Sequence, residues 1–336
     1  MKKIVECVPN FSEGRDTLKI AQITGEIGKV KDVKLLNVES NADYNRTVFT
    51  FAGKPESVRD AAFYAIEMAA EIIDMSQHKG AHPRVGSTDV CPFVPVVHVS
   101  MEECVALARS LGREVGEWLG IPVYLYGEAA SMPERRVLSD IRKGEYEGLA
   151  GKLKDKRWRP DYGPMEFNEQ VKRTGATVIG AREFLIAYNV NLDTQDIQIA
   201  NNISGIIRSS GVIKTNEKGE KVRIPGFLQH VQAMGVFLKE YGITQVSMNL
   251  QNYKFTPMQV AFEEVKKQAQ IQGVRVTGSE IVGLVPKEAL LAAGRFYAEN
   301  ISSSEELITV AIENLGLCQF SPFVPEKKVV EYMLGL

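Results

Sequence analysis

The stretch DMSQHKGAHPRVGSTDVCPFVPVV, residues 74–97, follows a predicted helix and ends in a predicted strand. Gly80 and Pro83 disfavour helix in its first half, and Pro83 biases His82 toward an extended backbone. The apolar run from Val90 to Val97 predicts a buried strand. Histidine is the side chain best suited to proton transfer near neutral pH, so the loop presents His82 as a candidate acid or base.

The N-terminal half, which contains this loop, has the order strand, helix, strand, strand, helix, strand. The predicted elements are a strand at 3–8, a helix at 15–30, strands at 33–38 and 46–51, a helix at 56–74, and the strand at 90–97. This βαββαβ order is the split βαβ of ferredoxin-like folds. A helix from Met101 to Trp118 and a strand at 122–126 extend the unit.

The same order of elements recurs in the C-terminal half. The predicted elements are strands at 184–192, 229–239, 243–250 and 274–284, helices at 195–209 and 257–272, and tail helices near 304–315 and 326–334. Between the halves, the basic segment 133–180 is interrupted by prolines and glycines, so we place the domain boundary at its end. The sequence thus predicts an α/β (α+β) fold of two ferredoxin-like βαββαβ subdomains, residues 1–180 and 181–336. We expect a ligand crevice between them, because small ligands favour domain interfaces.

The composition is that of an ordinary globular protein. The chain has 336 residues with 40 basic and 42 acidic side chains, a net charge of -2. Such a balance provides no overall field to attract nucleic acid or an anionic membrane. No apolar run reaches the roughly 18 residues of a membrane span. Four widely separated cysteines suit reduced thiols, and we expect a cytoplasmic location.

Several kinds of catalytic site are disfavoured. His78 and His82 are four residues apart, but the breakers between and after them argue against a metal-binding helix, and no Glu or Cys completes a ligand set. Cys91 lies in an apparent buried strand, which does not suit a reactive thiol. Phosphate-binding glycine motifs and the GxSxG motif are absent. We therefore expect no metal, and we interpret His98 and His230 as structural.

Polar residues on one predicted strand offer two interpretations. Gln245, Ser247, Asn249 and Gln251 alternate, so they share one face of the strand. That face is either solvated or forms a wall that reads an amide-rich ring such as a pterin. Asn189 and Asn191 in AYNVNL invite the same two interpretations.

Long strings of residues resemble the glutamate formiminotransferase family across nearly the whole chain. They include VECVPNFSEGR at 5–15, NRTVFTFAG at 45–53, residues 74–96 of the opening stretch, GATVIGAREFLIAYNVNL at 175–192, and VTGSEIVGLVP at 276–286. Strings of this length in a constant order are far more specific than one short motif.

The resemblance implies an enzyme of histidine degradation and one-carbon metabolism. Its reaction transfers the formimino group of N-formimino-L-glutamate to N5 of tetrahydrofolate, with His82 as general acid and base and tetrahydrofolate as co-substrate. The implied folate-binding residues are Gly163, Pro164, Met165, Glu166, Phe167, Gly175, Ala176 and Thr177. Since both substrates carry glutamate carboxylates, Arg46 and Arg84 are candidate partners for them, although each could equally form a structural ion pair.

The resemblance also implies a homodimer whose product is used by a separate cyclodeaminase. Two alternatives stay open at this point. The first is transfer of a formyl group between 5-formyltetrahydrofolate and glutamate, which differs only in O for NH at the transferred carbon. The second is a non-catalytic folate-binding protein.

Overall fold

The computed structural model describes residues 3–216 and 219–336. The chain divides into two compact units, residues 1–183 (unit 1) and 184–336 (unit 2). Within the described ranges, no helix combines the length and apolar character needed to cross a membrane.

Unit 1 begins with the predicted βαββαβ order. Its elements up to the fourth long strand are β1 (Ile4–Cys7), β2 (Asn10–Phe11), α1 (Thr17–Lys29), β3 (Val33–Asn41), β4 (Arg46–Gly53), α2 (Pro55–Ile72) and β5 (Thr88–Val97). The long strands lie in the order β3, β4, β1, β5, and every neighbouring pair is antiparallel. This is the order expected of a ferredoxin-like sheet, so the predicted fold class is confirmed here.

The rest of unit 1 extends this sheet. Its further elements are α3 (Met101–Trp118), β6 (Val123–Gly127), α4 (Leu138–Arg142), α5 (Leu149–Lys154), α6 (Glu169–Thr174) and β7 (Thr177–Ala181), with short 3-10 turns at Pro133–Arg135 and Lys156–Trp158. Strand β7 lies parallel between β5 and β6. The segment interpreted as a broken connection between the halves therefore ends in an internal strand of unit 1.

The core of unit 1 lies where α1, α2 and α3 pack together and α2 and α3 meet strands of the sheet. Helix α2 buries a stripe of small and branched residues: Val58, Ala61, Ala62, Ala65, Ile66 and Ala69. Pro55 occupies its first turn, where the missing N–H costs nothing. Full burial of a side chain such as Ile66 contributes about 1.5–3 kcal/mol, so this stripe fixes α2 and the point where the histidine loop begins.

Unit 2 repeats the arrangement. Its elements are β8 (Ile186–Leu192), α7 (Ile197–Ile207), β9 (Val212–Thr215), β10 (Lys221–Ile224), β11 (Val231–Leu238), β12 (Ile243–Leu250), α8 (Met258–Ile271), β13 (Val276–Val282), α9 (Lys287–Tyr297), α10 (Ser304–Leu315), α11 (Pro325–Lys328) and α12 (Val330–Leu334). The four long strands lie in the order β11, β12, β8, β13, all antiparallel. The second predicted βαββαβ order is therefore confirmed, whereas the β9–β10 hairpin and α9 were not predicted.

Candidate functional site

The histidine loop, residues 74–87, is not helical, as its breakers predict. Hydrogen bonds to the end of α6 hold it at both ends. The Met75 N–H donates to the Arg173 carbonyl (2.8 Å) and the Ser87 N–H donates to the Thr174 carbonyl (2.7 Å). Between them, the Ala81 N–H donates to the Asp43 carbonyl (3.2 Å). The loop is thus fixed by backbone hydrogen bonds to several other segments of unit 1.

Both ring nitrogens of His78 are engaged within unit 1, which holds the loop in place. The Arg84 Nε donates to its Nδ1 (3.3 Å), and since a guanidinium can only donate, the proton of the neutral ring is on Nε2. That nitrogen lies 3.0 Å from the carbonyl oxygen of Asn45, a residue with φ of 47°. Burial lowers the pKa of His78, which favours this neutral form. In the part of the chain that the structure describes, no three His, Cys, Asp or Glu side chains gather as a metal site.

His82 is half-buried at the tip of the loop. Its Nδ1 is buried and has no hydrogen-bond partner among the described residues. The Tyr44 ring lies nearby, with 6.1 Å between ring centroids. Burial lowers the pKa of His82 to about 3, the Arg46 and Arg142 guanidiniums add to this effect, and contact with the Pro83 backbone opposes it. The imidazole is therefore neutral at physiological pH, with one nitrogen open to a proton or a ligand.

Arg46 brings a cation to the same place. Its Nη1 donates to Asn10 Oδ1 (2.8 Å), and its guanidinium carbon lies 6.0 Å from the centre of the Tyr44 ring. Its Nε is buried and, among the described residues, has no hydrogen-bond acceptor. Buried donors in folded proteins are almost always satisfied. The Nε of Arg46 and the Nδ1 of His82 are therefore two neighbouring polar atoms that a bound ligand or ordered water can satisfy.

Arg84 already has carboxylate partners from the chain. Its Nη2 donates to Glu147 Oε1 (2.6 Å) and its Nη1 donates to Glu145 Oε2 (3.0 Å). These three residues, with Lys79, Gly80 and Gly144, line a polar cavity of about 520 Å³. The guanidinium of Arg84 is thus engaged by carboxylates of unit 1, and the roles of Arg46 and Arg84 toward a substrate carboxylate stay predictions.

A buried ion pair, which sequence reasoning missed, lies where the loop enters β5. The Asp89 carboxylate accepts from the Val85 N–H (3.0 Å) and from Nε and Nη2 of Arg142 on α4. Asp89 is fully buried, and this burial raises its pKa although Arg142 opposes the shift. One signal was visible in the sequence, because Asp89 is a charge at the start of an otherwise apolar run.

The predicted folate segment falls into two parts with different environments. Gly163 and Pro164 are half-buried, Met165 and Glu166 are exposed, and Phe167 packs its ring 6.3 Å from that of Tyr146. This first part is accessible to a ligand.

The second part, Gly175, Ala176 and Thr177, is buried and forms the entry to β7. The Ala176 N–H donates to the Val85 carbonyl (2.9 Å), and Gly175 bridges Gly86. The structure therefore places Gly175 and Ala176 against Val85 and Gly86 of the histidine loop, while Thr177 begins β7.

In unit 2, the polar strand face carries a chain of amides. Gln245 Nε2 donates to Asn191 Oδ1 (2.7 Å), and Asn191 Nδ2 donates to Gln319 Oε1 (2.7 Å). Both Gln245 and Asn191 are buried, while Asn249 is exposed. The face is therefore solvated at its Asn249 end. At its Gln245 end, the amides are buried and ordered by hydrogen bonds to one another.

Comparisons with known proteins agree with the resemblance seen in the sequence. Residues 4–182 match the family described as "Formiminotransferase domain, N-terminal subdomain", and residues 187–335 match "Formiminotransferase domain". A formimidoyltransferase-cyclodeaminase from Gallus gallus is 47% identical over 338 residues, which cover 99% of this chain and 60% of that protein. The chain therefore spans about three-fifths of the length of this relative.

Two shorter relatives are matched over most of their length. A glutamate formimidoyltransferase from Thermoplasma acidophilum is 47% identical over 88% of this chain and 92% of its own. One from Streptococcus pyogenes serotype M1 is 41% identical over 89% of this chain and 94% of its own.

Proposed function

The chain belongs to the formiminotransferase family, and we propose that it transfers the formimino group of N-formimino-L-glutamate to N5 of tetrahydrofolate, releasing L-glutamate. The observation that carries this proposal is a neutral, half-buried His82 whose open Nδ1 lies in the same cluster as the open Nε of Arg46. Two relatives named glutamate formimidoyltransferase support the choice of donor.

The reaction needs one group that first takes a proton and then gives it back. N5 attacks the formimino carbon, and the resulting tetrahedral adduct has to lose the N5 proton. Neutral His82 accepts that proton and returns it to the nitrogen of the departing glutamate. A positioned acid or base of this kind contributes about a hundred- to ten-thousand-fold in rate. Holding both substrates together supplies much of the rest by removing an entropic barrier.

Arg46 binds a carboxylate of a substrate in this proposal. A guanidinium whose Nε lacks an acceptor is suited to a carboxylate, which can accept two parallel hydrogen bonds. Binding an anion there also offsets the positive charge that lowers the pKa of His82. We therefore expect the pKa of His82 to rise when substrate binds, toward the working pH at which a general base is most effective.

The folate is expected to contact the accessible part of the predicted segment, Gly163 to Phe167. Gly175 and Ala176 act indirectly in this proposal, by contacting Gly86 and Val85 of the histidine loop, and Thr177 acts through its place at the start of β7.

The first test is a coupled assay of glutamate release with tetrahydrofolate and formiminoglutamate. We expect His82→Ala to lower kcat at least a hundredfold, because the proton acceptor is gone, and to leave the Kd for folate within about threefold. His98→Asn is the control, since it removes an exposed histidine elsewhere in unit 1 and asparagine tolerates its φ of 50°.

Three outcomes would count against the proposal. Near-normal turnover in His82→Ala would remove His82 from the mechanism. Glutamate-dependent turnover of 5-formyltetrahydrofolate, with none of formiminoglutamate, would favour formyl transfer. Folate binding with no turnover of either donor would identify a non-catalytic folate-binding protein.

The expected partners are also part of the proposal. The relative from Gallus gallus is named for both a formimidoyltransferase and a cyclodeaminase, and we propose that a cyclodeaminase uses the product of this chain as well. We further propose a cytoplasmic homodimer, and light scattering of the purified protein would give a mass near twice 37.3 kDa.

A further inference from the structure

The Asp89–Arg142 pair closes the short segment that follows His82. Asp89 Oδ1 accepts from the Val85 N–H, which makes a tight turn between Val85 and the start of β5. Arg142 reaches the same carboxylate from α4 with two of its nitrogens. Removing a charge from water is costly, and a buried carboxylate is kept only when it is well paired. The turn, the ion pair and α4 are therefore parts of one arrangement.

The strongest charge effects on the His82 ring come from guanidiniums on three segments. Arg46 lies on β4, Arg142 on α4, and Arg84 on the loop itself. Arg142 and Asp89 also act electrostatically on Arg46. The ion pair therefore influences both side chains of the cluster, His82 and Arg46. Tyr44 is the aromatic neighbour, and it lies beside both His82 and Arg46.

On the basis of the proposed function, we propose that Asp89 and Arg142 are positioning residues for the reaction at His82. The pair fixes the turn between His82 and β5, and it holds the Arg142 guanidinium among the cations that face the imidazole. In this arrangement Arg142 adds to burial and to Arg46 in disfavouring the charged ring before substrate binds, and Asp89 keeps Arg142 in place.

A second buried ion pair in unit 1 provides a matched control. Arg135 Nη1 donates to Asp161 Oδ2 (2.8 Å), Asp161 also accepts from the Leu125 N–H (2.8 Å), and both side chains are largely buried. Neither residue is among the groups that act on His82. Replacing Arg135 and Asp161 with neutral residues therefore measures the effect on folding of losing a buried ion pair away from His82.

The experiment uses two charge-neutral double variants of the full chain, Asp89→Asn with Arg142→Gln and Asp161→Asn with Arg135→Gln. Replacing both partners avoids leaving one buried charge unpaired. The His82 titration midpoint is followed by NMR of isotope-labelled histidine without substrate, and kcat and KM are measured from pH 5 to 8. In the first variant we expect the midpoint to rise, because Arg142 acts on the His82 ring and Asp89 is not among the strongest influences on it, so the cation is the more important of the two charges removed.

The kinetic expectation separates positioning from binding. We expect kcat of the Asp89 and Arg142 variant to fall about tenfold or more at pH 7, while KM for tetrahydrofolate stays within about threefold. The Arg135 and Asp161 variant keeps the wild-type midpoint and kcat, whatever it loses in melting temperature. Arg142→Lys retains the charge and loses the forked geometry, so its midpoint stays at the wild-type value while its kcat falls.

An unchanged midpoint and kcat in a folded Asp89 and Arg142 variant would overturn the inference. If that variant does not fold, the Arg142→Lys variant provides the test. A wild-type kcat in Arg142→Lys would also overturn the inference. The NMR measurement needs no substrate, so it separates this inference from the proposed function. A raised midpoint in a protein without transferase activity would keep Arg142 as a group that disfavours protonation of His82 and would reject the reaction.

Discussion

His82 is a histidine whose surroundings oppose its charged form. Burial removes water from the ring, and guanidiniums supply the remaining effect. In the free enzyme, His82 is therefore unprotonated well below pH 6.5, the ordinary pKa of histidine, and can act as a base. What it needs is a substrate whose negative charge makes protonation of the ring favourable.

The low pKa of His82 predicts a contribution to stability that depends on pH. Its folded-state value of about 3 lies below the ordinary value of 6.5, so the unfolded chain takes up the proton first as the pH falls. The contribution is complete above pH 6.5 and is lost progressively toward pH 3. It changes by at most about 1.4 kcal/mol per pH unit. In urea unfolding, we expect the wild type to lose up to about 2 kcal/mol more than His82→Gln between pH 6.5 and pH 5.

His78 has a lowered pKa as well, but it is unchanged in both proteins of this comparison, so the difference isolates His82. Equal losses in the wild type and in His82→Gln would mean that the ring is solvated in the native protein.

At the scale of single residues, the sequence is a good guide to which side chain carries chemistry and a poor one to its partners. The breakers around His82 were enough to predict a loop-borne histidine. Nothing in the spacing of Arg84 could tell that Glu145 and Glu147, more than 60 residues away, occupy its guanidinium. Ion-pair partners depend on tertiary contacts, and they become visible only in the folded chain.

Among the elements, the turn from α6 into β7 depends on one glycine. Gly175 has φ of 69° and ψ of -152°, a region open essentially to glycine alone. A Cβ there would overlap the Val85 carbonyl oxygen and Gly86 in the histidine loop. We expect Gly175→Ala to lower the free energy of unfolding by about 2 kcal/mol or more, and to lower kcat because the loop is displaced.

Gly151 in α5 is the control for this substitution. A Cβ at Gly151 meets no atom within 4 Å, and alanine is the better helix former there. We expect Gly151→Ala to leave stability unchanged or raise it by about 0.5–1 kcal/mol in the same urea titration. An equal loss in both variants would show that the special backbone of Gly175 does not matter.

The elements that the sequence analysis missed have identifiable causes. Strand β7 follows a run of glycine-interrupted, basic sequence, and its five residues are too few to show a period. The strands of the β9–β10 hairpin are mostly exposed, so their apolar residues do not alternate with a buried face. Helix α9 buries mainly alanines and Gly294. The long elements were predicted because each has an extended buried face.

For the whole molecule, the environment of His82 is formed by unit 1. The groups that act on His82, namely Arg46, Arg84 and Arg142 with the Pro83 backbone, all belong to unit 1. We expect a fragment of residues 1–183 to fold, because it has its own sheet and core. His82 in that fragment should stay neutral from pH 5 to 8, as measured by NMR of labelled histidine. A folded fragment whose His82 titrates near 6.5 would show that residues beyond 183 are needed for this environment.

The order of elements in both units could be read from periodicity, and from it the ferredoxin-like class followed. Strand order within a sheet could not be read in the same way for β7, because pairing with β5 joins residues about 90 positions apart, Val90 with Val178. Local pattern carries no information about such a partner. The predicted crevice between the subdomains remains a prediction.

The position of β7 affects the order in which unit 1 folds during synthesis. Strand β6 is held to the sheet through β7, and β7 is the last strand of unit 1 to be synthesised. While a ribosome is still translating residues 128–176, β6 has no strand to join, and the Ser87 N–H has not yet met the Thr174 carbonyl. The βαββαβ part can form early, since domains fold from the N-terminus as they emerge. His82, although made early, would acquire its final surroundings only about 90 residues later, so a nascent chain arrested before residue 174 should carry a solvated, ordinary histidine.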